Sequence, residues 1–353
     1  ASLVLAGTLV TSGNLTFDGF GDTTLMGAGV LGGTGNLVKN GDGTLTITGS
    51  SPFSGSTLVA NGTLSIQANG ALGTGPGPVT IANNASLFVQ GGLVVPQSLV
   101  LQGPGDGETG ALHAISGSNS FTGGITLPAF ASLAVDSGGV LTFQGTVSGP
   151  GGLGKDGAGQ LVLNGMNSYG GMTIVNAGTL TVNGSQPQSN VTVEATGTLG
   201  GTGTVGALAS MGQVSPGQSP GILSPGILTL TAGSTFTVEL NGTTPGTGYD
   251  SLSVTGSVTL GGATLSVSLG FTPVGGDAFT IIQNDGTLDP VSGTFGGLGE
   301  GAILTLGNDL LQISYVGGDG NDVVLTKVGC VSDVGAPAVT APSAATVTQT
   351  LCM

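Results

Sequence analysis

The chain has 353 residues, of which 72 are glycine and only 6% are charged, with a net charge of −15. Three lysines and no arginine give no cationic footprint for phosphates, which excludes nucleic acid as a partner and argues against docking on anionic lipid. The glycine has neither the three-residue period of collagen nor the high charge of a disordered chain around it, and fits many short strands joined by glycine turns.

Residues 1–31 predict introductory coils, with Leu3-Val4-Leu5, Thr8-Leu9-Val10, Asn14-Leu15-Thr16-Phe17 and Thr24-Leu25-Met26 each closed by glycine. Ala1, Leu3 and Leu5 begin an edge without a polar or proline-rich cap, whose backbone groups can pair with another chain. Because this segment already reads as strand, the chain is expected to be a mature or excised segment. No stretch approaches the roughly 20 apolar residues of a membrane helix, and membrane insertion is not expected.

Gly35 to Ile66 reads as a unit. Leu45 and Ile47 alternate with Thr44, Thr46 and Thr48, so the apolar pair shares one face of a strand. A corner with Phe53 and Gly55 leads to Leu58-Val59, and Asn61-Gly62 leads to Leu64 and Ile66. Strand, corner, strand, corner, strand is expected to make one coil. Residues 67–150 predict less regular coils, with a broad turn at Gly73–Pro78 and a solvent-side loop at 104–110 as a candidate contact. A degenerate copy begins at Gly117 and runs over 117–140.

Gly151 to Val182 then repeats residues 35–66 over 32 positions without a gap. Thirteen positions are identical, among them Lys39/Lys155, Gly43/Gly159, Leu45/Leu161, Gly55/Gly171 and the Gly-Thr-Leu triplets at 62–64 and 178–180. Repetition at a period of tens of residues marks a solenoid, in which each unit buries its apolar face only against its neighbours. The expected domains are a solenoid over 1–208, a β module over 209–328 and a Pro/Ala/Thr tail over 329–353. Longer alternating strands are predicted at 235–240, 252–254, 264–269 and 279–282, with Phe271, Phe279, Phe295 and Tyr315 to fill a core. Thr346–Leu351 alternates as a strand would, and its Val347, Gln349 and Leu351 are candidates to pair with the open first coil of another subunit. Cys330 and Cys352 are the only cysteines and are expected to form a disulfide, within the chain or between chains.

The pattern of Gly151–Val182, GGLGKDGAGQLVLNGMNSYGGMTIVNAGTLTV, resembles the autotransporter-associated β-strand repeat of bacterial passenger domains. Gly35–Ile66 departs from it at Ser51-Pro52. The Ser-Pro-Gly segment at 215–223 is similar to one that follows such repeats. The resemblance implies a right-handed parallel β-helix outside the cell, serving as spacer or secretion scaffold. The membrane β-barrel that ends an autotransporter is not expected in this segment.

Few residues are candidates for chemistry. Gly317-Gly318-Asp319-Gly320-Asn321-Asp322 fits one copy of a calcium nonapeptide, which makes Asp319 and Asp322 weak calcium candidates against a plain β-turn. Gly201–Gly206 satisfies G-x-G-x-x-G without a following helix, so no nucleotide is expected. His113 has no nucleophile to serve, and Asp285 with Asp289 is the nearest approach to the paired carboxylates of a β-helix polysaccharide-degrading enzyme. No catalytic residue, cofactor or enzyme activity is expected. The expected protein is an all-β extracellular structural subunit that joins its own copies head to tail into a surface fibre. A cell-surface or matrix polysaccharide is a further candidate partner, and an autotransporter-type passenger acting as adhesin or stalk is the alternative.

Overall fold

A strand that alternates apolar and hydroxyl side chains buries one face only, and here that face is buried by the same kind of strand one coil later. The computed structural model describes residues 2–27, 30–217, 219–286 and 288–331. The chain divides into two compact units, Ala1–Leu208 and Ala209–Met353.

In the first unit the strands pair in parallel, as the all-β solenoid reading requires. Leu45, Leu64, Leu87, Leu112, Leu133, Lys155, Val175 and Val193 are successive Cα partners down one ladder. All eight are 0% exposed, so this row is the spine of the core. A second row, in another sheet, runs Phe17, Lys39, Val59, Ile81, Leu101. Outside, amides continue the stacking: Asn36 Nδ2 donates to Asn14 Oδ1, and Asn183 Nδ2 to Asn164 Oδ1.

The coil is shorter than the sequence repeat, which corrects the reading of one repeat as one coil. Leu37–Lys39 pairs with Thr57–Val59, and Thr44–Ile47 with Gly62–Ile66, all within the first repeat. The second repeat does the same, since Leu153 faces Thr173 and Leu161 faces Leu180. The first half of each repeat is therefore the neighbour of its second half in the next coil. Each 32-residue repeat carries two stacked passes of the chain, and so supplies much of its own neighbour.

The Gly-Thr-Leu glycine follows from that stacking. Gly62 and Gly178 have φ of +66° and +67°, a region that L side chains rarely adopt. A Cβ on Gly62 would collide with the Gly41 carbonyl oxygen and lie 2.8 Å from Lys39 Nζ. A Cβ on Gly178 would collide with the Gly157 carbonyl. The last strand can start this close to the corner of the neighbouring coil only because the position has no side chain.

In the second unit Thr235–Leu240 pairs in parallel with Thr264–Leu269, and Ser251–Val254 with Ala278–Asn284. Asp322–Cys330 then runs antiparallel to both Ala278–Asn284 and Asp309–Gly317, and Ile303–Leu306 adds to the latter. Phe236 stacks on Phe295 at 6.1 Å, and Tyr249 meets Phe279 edge-on at 5.4 Å. Phe279, Phe295 and Tyr315 are buried, while Phe271 is half-buried at the edge of the same cluster.

Substituting Gly178→Ala is expected to lower stability by about 2–4 kcal/mol, from the positive φ and the backbone clash together. Gly170→Ala is the comparison, because its Cβ would meet nothing within 4 Å. Urea unfolding of the full chain should separate the two variants, with Gly170→Ala within about 0.5 kcal/mol of the parent.

Candidate functional site

The strongest constellation of polar groups lies inside the two repeats. Lys155 is 0% exposed and stands in the apolar spine between Leu133 and Val175. Its Nζ reaches the corner and donates to the carbonyls of Asp156 at 2.9 Å, Gly157 at 2.7 Å and Ala177 at 3.0 Å. Ala177 belongs to the next coil, so one ammonium group fastens two passes of the chain. Lys39 repeats the geometry, donating to Gly41 O at 2.6 Å and Asn61 O at 3.1 Å. Both copies share acceptors two and 22 residues beyond the lysine, and Lys155 adds Asp156, one residue on.

Burial pushes the Lys155 amine down to about 8, against a weaker opposing pull from the Asp156 carboxylate. Burial lowers Lys39 as well, while Asp106, Asp42, Asp18 and Asp22 oppose it. Lys327 is 3% exposed and pairs with Asp309 at 2.5 Å while donating to Gly329 O. All three cationic side chains of the chain are thus buried, leaving acidic groups to set the surface charge.

The aromatic corner is a second shared device. Tyr169 and Phe53 are fully buried at corresponding positions. Tyr169 Oη hydrogen-bonds Thr173 Oγ1 at 2.7 Å, which bonds Ser189 Oγ at 2.8 Å. Two residues before Tyr169, Asn167 Oδ1 accepts the Val147 amide at 2.9 Å. Asn119, at the same place in the degenerate copy, accepts the Leu93 amide at 2.9 Å. Ser51 replaces this asparagine in the first repeat, and its buried Oγ finds no partner.

The other sequence candidates are scattered rather than brought together. His113 lies on the outer face, with Nε2 2.9 Å from Asp136 Oδ1 and its ring edge-on to Phe88. Gly201–Gly206 spans the end of Val191–Gly201 and the start of Thr204–Ser210, so its glycines are strand and turn positions. The 104–110 loop is not a free solvent loop: Asp106–Glu108 forms a 3₁₀ turn, Asp106 N donates to Ser86 Oγ, and Thr63 Oγ1 donates to Asp106 Oδ2. Outward hydroxyls of the sheet hold it down. Asp285 is exposed, whereas Asp289 offers its main-chain carbonyl to Asn284.

Asp319 is exposed on the 317–320 turn, and Asp322 is buried at the start of its strand. Leu3 and Leu5 lie in the strand Leu3–Ala6, where Leu3 is 52% exposed. Cys330 is buried, with Lys327 Nζ 3.4 Å from its sulfur. Ala1, Val347, Gln349, Leu351 and Cys352 lie outside the described residues. The lysine clamp was open to view as a lysine recurring at one place in both repeats, yet its strand position gave no sign that the side chain turns inward.

Replacing Lys155 by Met should lower stability by about 2–3 kcal/mol, because three corner carbonyls lose their donor. The pH response has a definite sign. Below about pH 8 Lys155 is charged in both states, and burial of that charge weighs against the fold. Between about 8 and 10.5 the unfolded chain keeps the proton and the folded chain has lost it, so the Lys155 contribution to stability rises with pH. Unfolding of parent and Lys155→Met followed from pH 7 to 10 should show a steeper rise in the parent, since the variant keeps only the contribution of Lys39.

The profile of the passenger-associated-transport-repeat matches the chain twice, at residues 37–66 and 153–182. No curated protein matches the chain. Each match opens two residues before the buried lysine and takes in both the lysine's strand and the strand stacked on it in the next coil. The repeat is thus the self-stacking, lysine-clamped pair of passes, and the chain carries two of them on a parallel β-solenoid, the make-up of an autotransporter passenger-like domain.

Proposed function

We propose that the chain acts outside the cell as a non-catalytic structural scaffold, a passenger-type adhesin or stalk. The observation that carries this reading is the investment of both repeats in coil-to-coil fastening: the lysine, the aromatic corner and the Gly-Thr-Leu glycine all serve stacking. A buried lysine engaged by two or three carbonyls is held in place rather than presented to a substrate. The burial of every cationic side chain leaves an acidic exterior, which keeps such a scaffold soluble and away from anionic surfaces.

The finer reading is a surface fibre built by head-to-tail contact. It is favoured by the apolar side chains exposed on the first coils, where Leu3, Val4, Val10 and Phe20 are 52%, 57%, 74% and 87% exposed. Such a surface accepts another coil, and a non-closing contact of this type propagates. The tail strand around Val347–Leu351 is the proposed partner on the sequence pattern alone.

One set of experiments tests both levels. On intact cells producing the protein, added protease and antibody should reach it; access only after lysis would overturn the extracellular scaffold. Electron microscopy and sedimentation of purified full-length chain should show linear polymers that grow with concentration and disappear with Leu3→Asp. A chain that stays monomeric would end the fibre reading and leave the scaffold standing.

A further inference from the structure

One parallel ladder of the second unit stops at an open strand. Thr264–Leu269 pairs residue for residue with Thr235–Leu240, and among the described residues that is its only ladder partner. The inward row shows the stop. Phe236, Val238 and Leu240 are 0% exposed, whereas their Cα partners Leu265, Val267 and Leu269 are only half-buried. The amides of Thr264 and Gly270 donate to the carbonyls of Ser234 and Leu240, at 2.9 and 2.7 Å. By the alternation of a parallel strand, the amides of Leu265, Val267 and Leu269 point to the other edge. An unpaired edge with a half-covered apolar row is a place for one more strand.

The last described residues lie at the mouth of this edge. A groove of about 480 Å³ has Val267, Leu269 and Phe271 on one side and the turn 305–309 on the other. The Val331 amide donates to the Asn308 carbonyl at 3.0 Å, and Cys330 is the Cα partner of Asp309, so residues 332 onward leave from the groove wall. One stretch beyond Val331 has the pattern that the edge lacks. TFTVEL at 235–240 and TLSVSL at 264–269 are successive rungs, and TVTQTL at 346–351 continues them. All three have Thr first, an apolar residue second, a hydroxyl third and Leu sixth.

We propose that residues 346–351 are the next rung, pairing in parallel with the open edge of Thr264–Leu269 in the same chain. Val347, Gln349 and Leu351 then lie over Leu265, Val267 and Leu269, and Thr346, Thr348 and Thr350 extend the exposed row Thr264, Ser266 and Ser268. The parallel direction puts Leu351 at the Leu269 end, where the groove wall carries Asp309 and its partner Cys330. That is the end at which a Cys330–Cys352 disulfide can close, since it needs Cα atoms about 4.4–6.8 Å apart. Residues 332–345 reach up to about 45–50 Å, well beyond the roughly 20 Å needed to run back along a six-residue strand. Gln349, polar where Val238 and Val267 are apolar, suits a last rung that no further coil covers. The segment so placed is a cap, closing an edge open to strands of other molecules. A strand has two edges, so this seat does not forbid pairing with another copy, and it rests on neither the scaffold nor the fibre reading.

Site-resolved amide hydrogen exchange of the full chain is the test. The Leu265, Val267 and Leu269 amides should exchange about 100-fold or more slower than in an unstructured peptide, and equally at two protein concentrations about tenfold apart. Val347→Asp and Leu351→Asp should each speed these three amides by about tenfold or more, with the amides of Val191–Gly201 in the first unit unchanged. Thr348→Pro, which removes an amide of the pairing, takes their place if they fail to fold. Fast exchange of the three amides in the parent would overturn the proposal without any variant. So would protection lost on dilution, the mark of a strand from a second copy, and protection that the folded variants retain, which would mean that another segment covers the edge.

Discussion

The structure of the first unit depends on one contact, repeated: an inward side chain resting on its counterpart in the coil above, at the roughly 4.8 Å spacing of hydrogen-bonded strands. Along the ladder from Leu45 to Val193 this contact is apolar on apolar except where Lys155 enters it. Burial on both sides makes each coil depend on its neighbours, so stability belongs to the stack and not to any one strand. Glycine at the corners is a consequence, because backbones that approach to strand spacing leave no room for Cβ where the chain turns over itself.

The lysines show how such a stack handles its corners. Corner carbonyls cannot all join a strand ladder, and buried carbonyls need donors. A long side chain that starts in the apolar row and ends among those carbonyls supplies several bonds from one atom, as Lys155 does for Asp156, Gly157 and Ala177. Burying the ammonium works against the fold, visible in the lowered Lys155 pKa, and the carbonyl bonds offset it. Asn167 and Asn119 do the same work with opposite polarity, accepting backbone amides that the corner leaves over.

Much of this was legible in the sequence because its signals are local and repeated. Alternation placed Leu45 and Ile47 inward and repetition revealed the solenoid, whereas Phe53 and Tyr169 read only as corner residues and prove to be buried. The pairing step was not legible. A 32-residue repeat looks like one coil until the register is known, and the register is a non-local property fixed by which strands come to lie together. The antiparallel strands of the second unit were missed for a related reason: Asp309–Gly317 and Asp322–Cys330 are organised by the turn between them, whose glycines and aspartates read first as a possible ion motif. The inward turn of Lys39 and Lys155 was hidden because a charged residue in a strand is ordinarily taken to face water.

The register is also where the account is most exposed to test. Val38 and Leu58 are Cα partners on the outer side of adjacent strands within one repeat. At strand spacing, the pair Val38→Cys and Leu58→Cys falls within the Cα separation of about 4.4–6.8 Å that a disulfide spans. If each repeat is two stacked passes, mild oxidation of the folded double variant will link residues 38 and 58, read by mass spectrometry of the proteolysed chain. A folded double variant that forms no such link would put the two strands on different faces of a single coil, and would contradict the self-stacking repeat on which the lysine clamp and the scaffold both rest.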